Sequence, residues 1–448
     1  MKMMKLALLG GAAFAVMTAG AQADDLSALK AEIEALNARV AQLETMPAAP
    51  NGYSLMTYSK GDATVVPGNN FDYKLYKGLS TKANIIGIMP TADAPPSTTI
   101  EWSGYVYAIV ANTDYDYLQE NDTPAVAAVA FVPDNPATPL IDERVEARAA
   151  IPAIDGYDPD SKTSVIGRAH LRVVGKTDTA VGEVGVRVQL RARYQGVDND
   201  EGRPFFAHEY WGWWAMTPEL TLGGGFSSSL GDIGFGMDGA CNCWWTDWFS
   251  SDERDTGFTT AFDPGDTAQV RLSWASGPIS AAIALEESDL GVYYNGGEED
   301  NLALAGQIAY AGDTISGEIS AIAYESSYGP YGDGFQVGAG IGFALGSVAN
   351  ISLAAAMGEN PYNGDYWGAS GLISFGLTDT VSFETGAAWR DYDDGGDLLE
   401  VLAGIYYNPV SQLTFGLEAE WADVDGVFTG TGKDTDFTTF DLVSIWRF

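Results

Sequence analysis

The chain has 448 residues with 61 acidic and 23 basic side chains, and its formal net charge of −38 argues against nucleic acids and anionic membrane surfaces as partners. Two cysteines and two histidines cannot supply a disulfide framework or a metal centre rich in Cys or His ligands. The 53 glycines and the 12% aromatic content, without long aliphatic runs, are typical of alternating β-strands.

The first residues have the pattern of a secretory signal. Lys2 and Lys5 precede an apolar stretch at 6–19, and Ala21 and Ala23 supply the small residues of a cleavage site. We therefore expect residues 1–23 to be removed. No later apolar run reaches the roughly 18 residues that a membrane helix needs.

Residues 24–45 have the heptad pattern of a short coiled coil. The apolar seam, spaced alternately by three and four residues, consists of Leu26, Leu29, Ile33, Leu36, Val40 and Leu43. β-branched residues and leucines in these positions favour two strands, whereas Arg39 and Glu44 match an Arg-to-Glu trimerisation motif. We predict a trimeric coiled coil that depends on other contacts, because so short a helix is marginal alone. An amphipathic helix lying on its own domain is the alternative.

Residues 46–99 are rich in proline, glycine and serine and are predicted to be a linker with at most short strands. From residue 100 onward, alternating apolar and polar segments recur to the end of the chain. Sixteen strands are predicted, at 100–110, 163–176, 181–195, 206–216, 219–226, 267–275, 279–286, 302–311, 313–324, 334–345, 348–358, 365–376, 379–390, 397–408, 411–421 and 436–447.

Very short turns join the members of each pair of strands, whereas long, acidic and glycine-rich loops join one pair to the next. An even strand count, about ten residues per strand and long loops at one end only are typical of a transmembrane barrel. The predicted fold is therefore all-β: a 16-stranded antiparallel transmembrane β-barrel over 100–448, preceded by the coiled-coil helix. A soluble β-sandwich explains the one-sided loops less well.

The two faces of the early strands differ in chemistry. Basic and polar residues alternate with apolar residues in the second and third predicted strands, so that one face is polar. The residues predicted to form this basic wall are Arg168, His170, Arg172, Arg187, Arg191 and Arg193. Aromatic residues near strand ends are predicted to form interfacial girdles, for example Trp102, Tyr210, Trp389, Tyr406 and Trp421.

The last strand has apolar residues on one face and ends in Phe448, with Trp446 two residues earlier. This ending resembles the assembly signal of outer-membrane barrels, although Val443 stands near the place of the usual glycine. Together with the signal, the coiled coil and the sixteen segments, it makes the chain similar to the trimeric general porins, and most similar to their alphaproteobacterial branch.

The resemblance implies a homotrimer in the bacterial outer membrane, in contact with lipid and lipopolysaccharide, with the coiled coil in the periplasm and possible contact with peptidoglycan. It implies a water-filled channel for passive diffusion of ions and small hydrophilic solutes. The third long loop of such porins folds inward, and the matching loop here is 227–266. Its acidic residues, expected to face the basic wall, include Asp232, Asp238, Asp247, Asp252, Glu253 and Asp255.

Several functional alternatives follow from the same residues. The barrel could anchor a structural tether that binds the envelope through its coiled coil, or the chain could be a secreted, carbohydrate-binding β-protein.

For a channel, the net charge predicts a mild preference for cations over anions. Catalysis is not expected, because neither histidine accompanies a nucleophile motif.

No cofactor is expected, apart from structural Ca²⁺ in the external loops. Asp391, Asp393 and Asp397 have oxygen ligands at a spacing that calcium tolerates, with a solvated acidic loop as the default. Cys241 and Cys243 are one residue apart, so a disulfide between them would be strained. The alternatives are that both cysteines are unpaired thiols or that they help to pack the loop.

Overall fold

The computed structural model describes twelve segments of the chain. They are residues 55–64, 82–89, 96–115, 161–195, 206–237, 266–287, 302–324, 334–346, 348–360, 364–393, 396–424 and 435–448. The predicted signal at 1–23 and the coiled coil at 24–45, with its seam residues, Arg39 and Glu44, lie outside these segments. Among the described residues, no helix is both long and apolar enough to cross a membrane.

Eighteen β-strands make up the described secondary structure, apart from turns and one helical turn. They are β1 (Leu55–Asp62), β2 (Lys82–Met89), β3 (Thr98–Tyr115), β4 (Ser161–Thr179), β5 (Gly182–Gln195), β6 (Phe206–Ala215), β7 (Leu220–Ser228), β8 (Asp266–Ser276), β9 (Ile279–Glu287), β10 (Leu302–Ala311), β11 (Ile315–Tyr324), β12 (Gly334–Leu345), β13 (Ala349–Asn360), β14 (Gly364–Gly376), β15 (Val381–Tyr392), β16 (Gly396–Val410), β17 (Leu413–Val424) and β18 (Thr435–Arg447).

Strands β3 to β18 form a closed barrel. Each strand lies beside the next along the chain, and β18 pairs antiparallel with β3, for example with Val443 opposite Ile109. The sixteen predicted strands are confirmed, each within a few residues of its predicted ends. The predicted 46–99 linker contains β1 and β2, two eight-residue strands that pair with each other.

The chain divides into two compact units. One comprises 1–59 and 86–99, and the other comprises 60–85 and 100–448. In the first unit, the Ser97 N–H donates to the carbonyl of Ile88 at 3.1 Å. The second unit contains the barrel.

Successive side chains of the barrel strands alternate between two environments, as the pleat of a strand requires. On β10, Leu304 is 52% exposed whereas the next residue, Ala305, is 1% exposed. Apolar side chains such as Val106 and Leu442 are exposed on the outer face, whereas the inner face carries polar and charged residues together with buried apolar clusters, one of which includes Ile109 and Val443. The barrel is therefore apolar outside and of mixed character inside.

The ring closes at the chain terminus. The Phe448 N–H donates to the carbonyl of Gly104 at 3.0 Å, and the Gly104 N–H donates to the carbonyl of Phe448 at 3.4 Å. A Cβ at position 104 would lie 2.6 Å from Phe448 Cζ, because the phenyl ring covers this residue. Phe448 and Trp446, the residues of the predicted assembly signal, are both about half exposed on the outer face.

One predicted girdle residue is on the wrong face. Tyr406 is 2% exposed, and its hydroxyl donates to Glu418 Oε1 at 2.8 Å on the inner face, whereas the next residue, Tyr407, is exposed. Two consecutive tyrosines offer two possible faces, and the strand register decides between them. Tyr210 is exposed and Trp389 is half-exposed, as predicted.

Replacing Gly104 by alanine is expected to lower the free energy of unfolding by about 1–3 kcal/mol, because the new Cβ would overlap the backbone oxygen of His170 as well as the phenyl ring of Phe448. Thermal unfolding in detergent and heat-dependent gel mobility measure this loss. Gly167→Ala is the control, because its Cβ would meet nothing nearer than the Tyr107 carbonyl at 3.7 Å. Equal stability of both variants would contradict the close packing of His170 and Phe448 around Gly104.

Candidate functional site: the inner wall and its loop

The basic wall predicted from the sequence lies on the inner faces of β4 and β5. Arg168, His170 and Arg172 are buried on β4, and Arg187 and Arg191 are buried on β5. The strand register places Arg193 opposite Arg168. Two adjacent strands thus present a continuous basic surface to the interior.

Tyrosines of the neighbouring strand β3 contact this surface. Tyr105 Oη lies 3.1 Å from His170 Nδ1, and the guanidinium carbon of Arg168 lies 5.6 Å from the centre of the Tyr107 ring. A cation over an aromatic face is attracted by the ring quadrupole. These contacts orient His170 and Arg168 along the wall.

Arg187 is different, because its charge is neutralised within the wall. It forms a salt bridge with Glu209 of β6, and both side chains are fully buried. Gln189 also donates to Glu209, and Ser227 Oγ donates to the same carboxylate at 2.8 Å. Arg187 is thus a weaker contributor to the field inside the barrel than the sequence analysis predicted.

The two histidines of the chain lie beside each other at this wall, with ring centres 6.3 Å apart. Arg191 Nη1 lies 3.1 Å from Nε2 of His208, and the same Nε2 lies 3.8 Å from Asp266 Oδ2. His208 and Asp266 stand at the ends of β6 and β8, so they connect the wall to the strand that follows the long loop.

The predicted inward loop, 227–266, begins inside the barrel. Gln269 Nε2 of β8 donates to the carbonyls of Ser227 and Ser228, each at 2.9 Å. Arg271 Nη2 donates to the Ser228 carbonyl at 2.8 Å, and its guanidinium lies 5.3 Å from the Trp211 ring centre. Gln269 and Arg271, which the sequence analysis did not select, therefore hold the start of the loop.

The next residues, 229–237, are here called the inner loop segment, and they follow the inner face of successive strands. Leu230 N–H donates to Glu286 of β9 at 2.9 Å, and Gly234 N–H donates to Glu318 of β11. Buried carboxylates that accept backbone N–H groups satisfy donors that would otherwise lose water on burial.

Serine hydroxyls hold the end of the inner loop segment. Gly236 N–H donates to Ser352 Oγ of β13 at 2.8 Å, and Met237 N–H donates to Ser370 Oγ of β14 at 3.0 Å. Met237 also packs against apolar residues of β14, β15 and β16, including Leu372. The segment therefore follows the wall from β9 to β16.

Glycines of β12 make room for the inner loop segment. A Cβ at Gly338 would overlap Ile233, and a Cβ at Gly340 would overlap Phe235. These glycines therefore let the inner loop segment approach the wall closely.

Of the six predicted acidic loop residues, only Asp232 is described; Asp238, Asp247, Asp252, Glu253 and Asp255 lie outside the described residues, as do Cys241 and Cys243. Asp232 and Glu286 both interact electrostatically with Arg271. The inner faces of β15 to β18 add buried carboxylates that the sequence analysis missed, namely Glu384, Glu400, Glu418, Glu420 and Asp441.

The three aspartates considered as calcium ligands lie where β15 passes into β16. Asp391 and Asp397 are directly opposite each other in the register, and the Asp393 N–H donates to the Asp365 carbonyl at 3.0 Å. Within the described segments, no group of three or more His, Cys, Asp or Glu side chains is arranged to hold a metal ion.

Removing the carboxylate of Glu209 is expected to lower the free energy of unfolding by about 3–5 kcal/mol, because it leaves Arg187 buried without its ion-pair partner. Urea unfolding of Glu209→Ala in lipid vesicles measures this loss. The double variant Arg187→Met/Glu209→Leu should recover much of the stability, because an apolar pair carries no buried charge. Equal losses in the single and double variants would contradict the pairing.

No protein-family model and no curated protein matches the sequence. Solved structures do match. The anion-selective porin from Comamonas acidovorans is 14% identical with a TM-score of 0.51, and the match covers 78% of this chain and 100% of that chain. OmpT of Vibrio cholerae with loop L8 deleted is 10% identical with a TM-score of 0.48, over 79% and 100% of the two chains.

A mutant porin of Rh. blastica is 12% identical with a TM-score of 0.44, over 78% of this chain and 100% of that chain. Identities this low bear on architecture alone. The match to the Comamonas structure agrees with the closed ring of sixteen strands. The chain therefore has the fold of the bacterial porins, a closed sixteen-stranded antiparallel β-barrel.

Proposed function

We propose that this protein is an outer-membrane channel through which ions and small hydrophilic solutes diffuse passively, without catalysis. The observation that carries the proposal is the inner loop segment, which runs along the inside of the barrel from β9 to β16. A segment in this place narrows the interior, and a narrowed polar interior is how channels select solutes.

The apolar outer face of the barrel supports a location in the outer membrane. Apolar side chains with large exposed fractions occur on strands all around the ring, for example Ile308 at 62% and Leu417 at 59%. Lipid covers such a surface, and a closed barrel leaves no strand edge unsatisfied within it. We propose three copies per assembly, with the predicted coiled coil in the periplasm and lipopolysaccharide around the external loops.

The charge arrangement supports selection by an electric field. The inner loop segment crosses β12, eight strands on from β4 in a ring of sixteen, so it lies on the side opposite the basic wall. Oppositely placed loop and arginines create a field across the path of the solute.

The Comamonas protein is described as anion-selective. In this chain, the carboxylate of Glu209 neutralises the charge of Arg187, and the net charge of −38 concentrates cations near the mouth of the channel. We propose a mild cation preference.

Removing basic charge from the wall should move the selectivity further toward cations. We expect Arg168→Ala/Arg191→Ala to shift the reversal potential in a planar bilayer under a KCl gradient in the cation-selective direction. Lys176→Ala is the matched control, because Lys176 pairs with Glu183 beside the turn that follows β4 and keeps its side chain partly exposed.

An unchanged reversal potential in the double variant would refute the role of the basic wall. Correctly folded protein that never conducts would refute the channel itself and favour a structural tether. Conductance steps in groups of three would support the trimer.

Displacing the inner loop segment should widen the path. Gly340→Val places a branched side chain where Phe235 now packs, so we expect a higher single-channel conductance than in the native protein. Gly306→Val is the control, because a Cβ at Gly306 meets nothing nearer than a backbone oxygen at 3.6 Å. Equal conductance of both variants would show that the segment does not limit the flow.

A further inference from the structure

Two charged residues of the inner wall, Glu101 and Arg172, form hydrogen bonds with a segment that precedes the barrel strands in the chain. Glu101 shares the inner face of β3 with Tyr105 and is 4% exposed. Arg172 belongs to the basic wall on β4 and is 3% exposed. Both strands lie side by side in the ring.

Thr64, two residues after β1, contacts both of these side chains. Its backbone N–H donates to Glu101 Oε2 at 2.8 Å, and its hydroxyl donates to Glu101 Oε1. Arg172 Nη2 donates to the Thr64 carbonyl at 2.6 Å. The buried side chains of Glu101 and Arg172 thus form hydrogen bonds with the backbone N–H, the hydroxyl and the backbone carbonyl of Thr64.

Charge-assisted hydrogen bonds of this kind are among the stronger ones. Because Glu101 and Arg172 lie on the inner face, a residue that bonds to both lies inside the barrel. The segment that leads to Thr64 also packs on β2: a Cβ at Gly61 would lie 2.8 Å from Ile85 Cδ1, and the neighbouring Ala83 and Asn84 are buried.

We propose that residues 60–64 form a second narrowing element of the channel, on the side opposite the inner loop segment, seated there by Glu101 and Arg172. This inference rests on the proposed channel function and deepens it. The solute path then runs between two chain segments, one on the β3–β4 wall and one on the β9–β16 wall. Arg172 is a positioning residue, because its guanidinium holds the Thr64 carbonyl.

Thr64→Pro tests the proposal without changing any charge. Proline removes the N–H that Glu101 accepts and also the hydroxyl, so the segment should leave the wall. We expect a higher single-channel conductance than in the native protein, with unchanged heat-dependent gel mobility. Native conductance in the folded variant would overturn the proposal.

A second measurement does not depend on displacing the segment. In a background with Cys241→Ser and Cys243→Ser, Thr64→Cys should react with a small, charged, membrane-impermeant thiol reagent during the bilayer recording, and the current should fall. Val106→Cys is the control on β3, because Val106 is 47% exposed on the outer face and its modification should leave the current unchanged.

Different results refute the second narrowing element and the channel function. If the cysteine-free protein conducts and modification of Cys at position 64 leaves its current unchanged, the second narrowing element is refuted while the channel stands. If the folded native protein never conducts, the proposed function is refuted and this inference falls with it.

Discussion

Every barrel strand pairs with two neighbours, and the positions of the inner wall and the inner loop segment follow from this closed ring. A ring has no free edge, so the backbone groups of β3 to β18 find partners within the sheet. The contact between Phe448 and Gly104 completes the ring with the last residue of the chain. A fixed ring also fixes which side chains face inward, because a slip of one residue would exchange the two faces of a strand.

The inner face serves two purposes that require different residues. On β12, glycines allow the inner loop segment to approach closely, and the carboxylates and hydroxyls of neighbouring strands bind its backbone N–H groups. On β4 and β5, long basic side chains extend from the wall. The inner face therefore holds the inner loop segment on the side of β9 to β16 and carries basic side chains on β4 and β5, where Arg172 also binds the Thr64 carbonyl.

The charges of the wall are partly used for structure. Arg187 pairs with Glu209, Arg271 holds the Ser228 carbonyl, and Arg172 holds the Thr64 carbonyl. Arginine suits these positions because its planar guanidinium donates several hydrogen bonds in fixed directions. The number of arginines in the interior is thus a poor measure of the field that a solute would meet, because several of them are committed to carboxylates or backbone oxygens.

The number and approximate ends of the barrel strands could be predicted from the amino-acid sequence, because the period of two and the turn residues are local signals. Alternation also places Arg168, His170 and Arg172 on one face, and their inward orientation follows because a membrane barrel turns its apolar face outward. Three features could not be predicted in this way: Glu209 neutralises the charge of Arg187, Thr64 lies against Glu101, and Tyr406 faces inward while Tyr407 faces outward. They depend on strand register and on contacts between residues far apart in the chain, which no local pattern encodes.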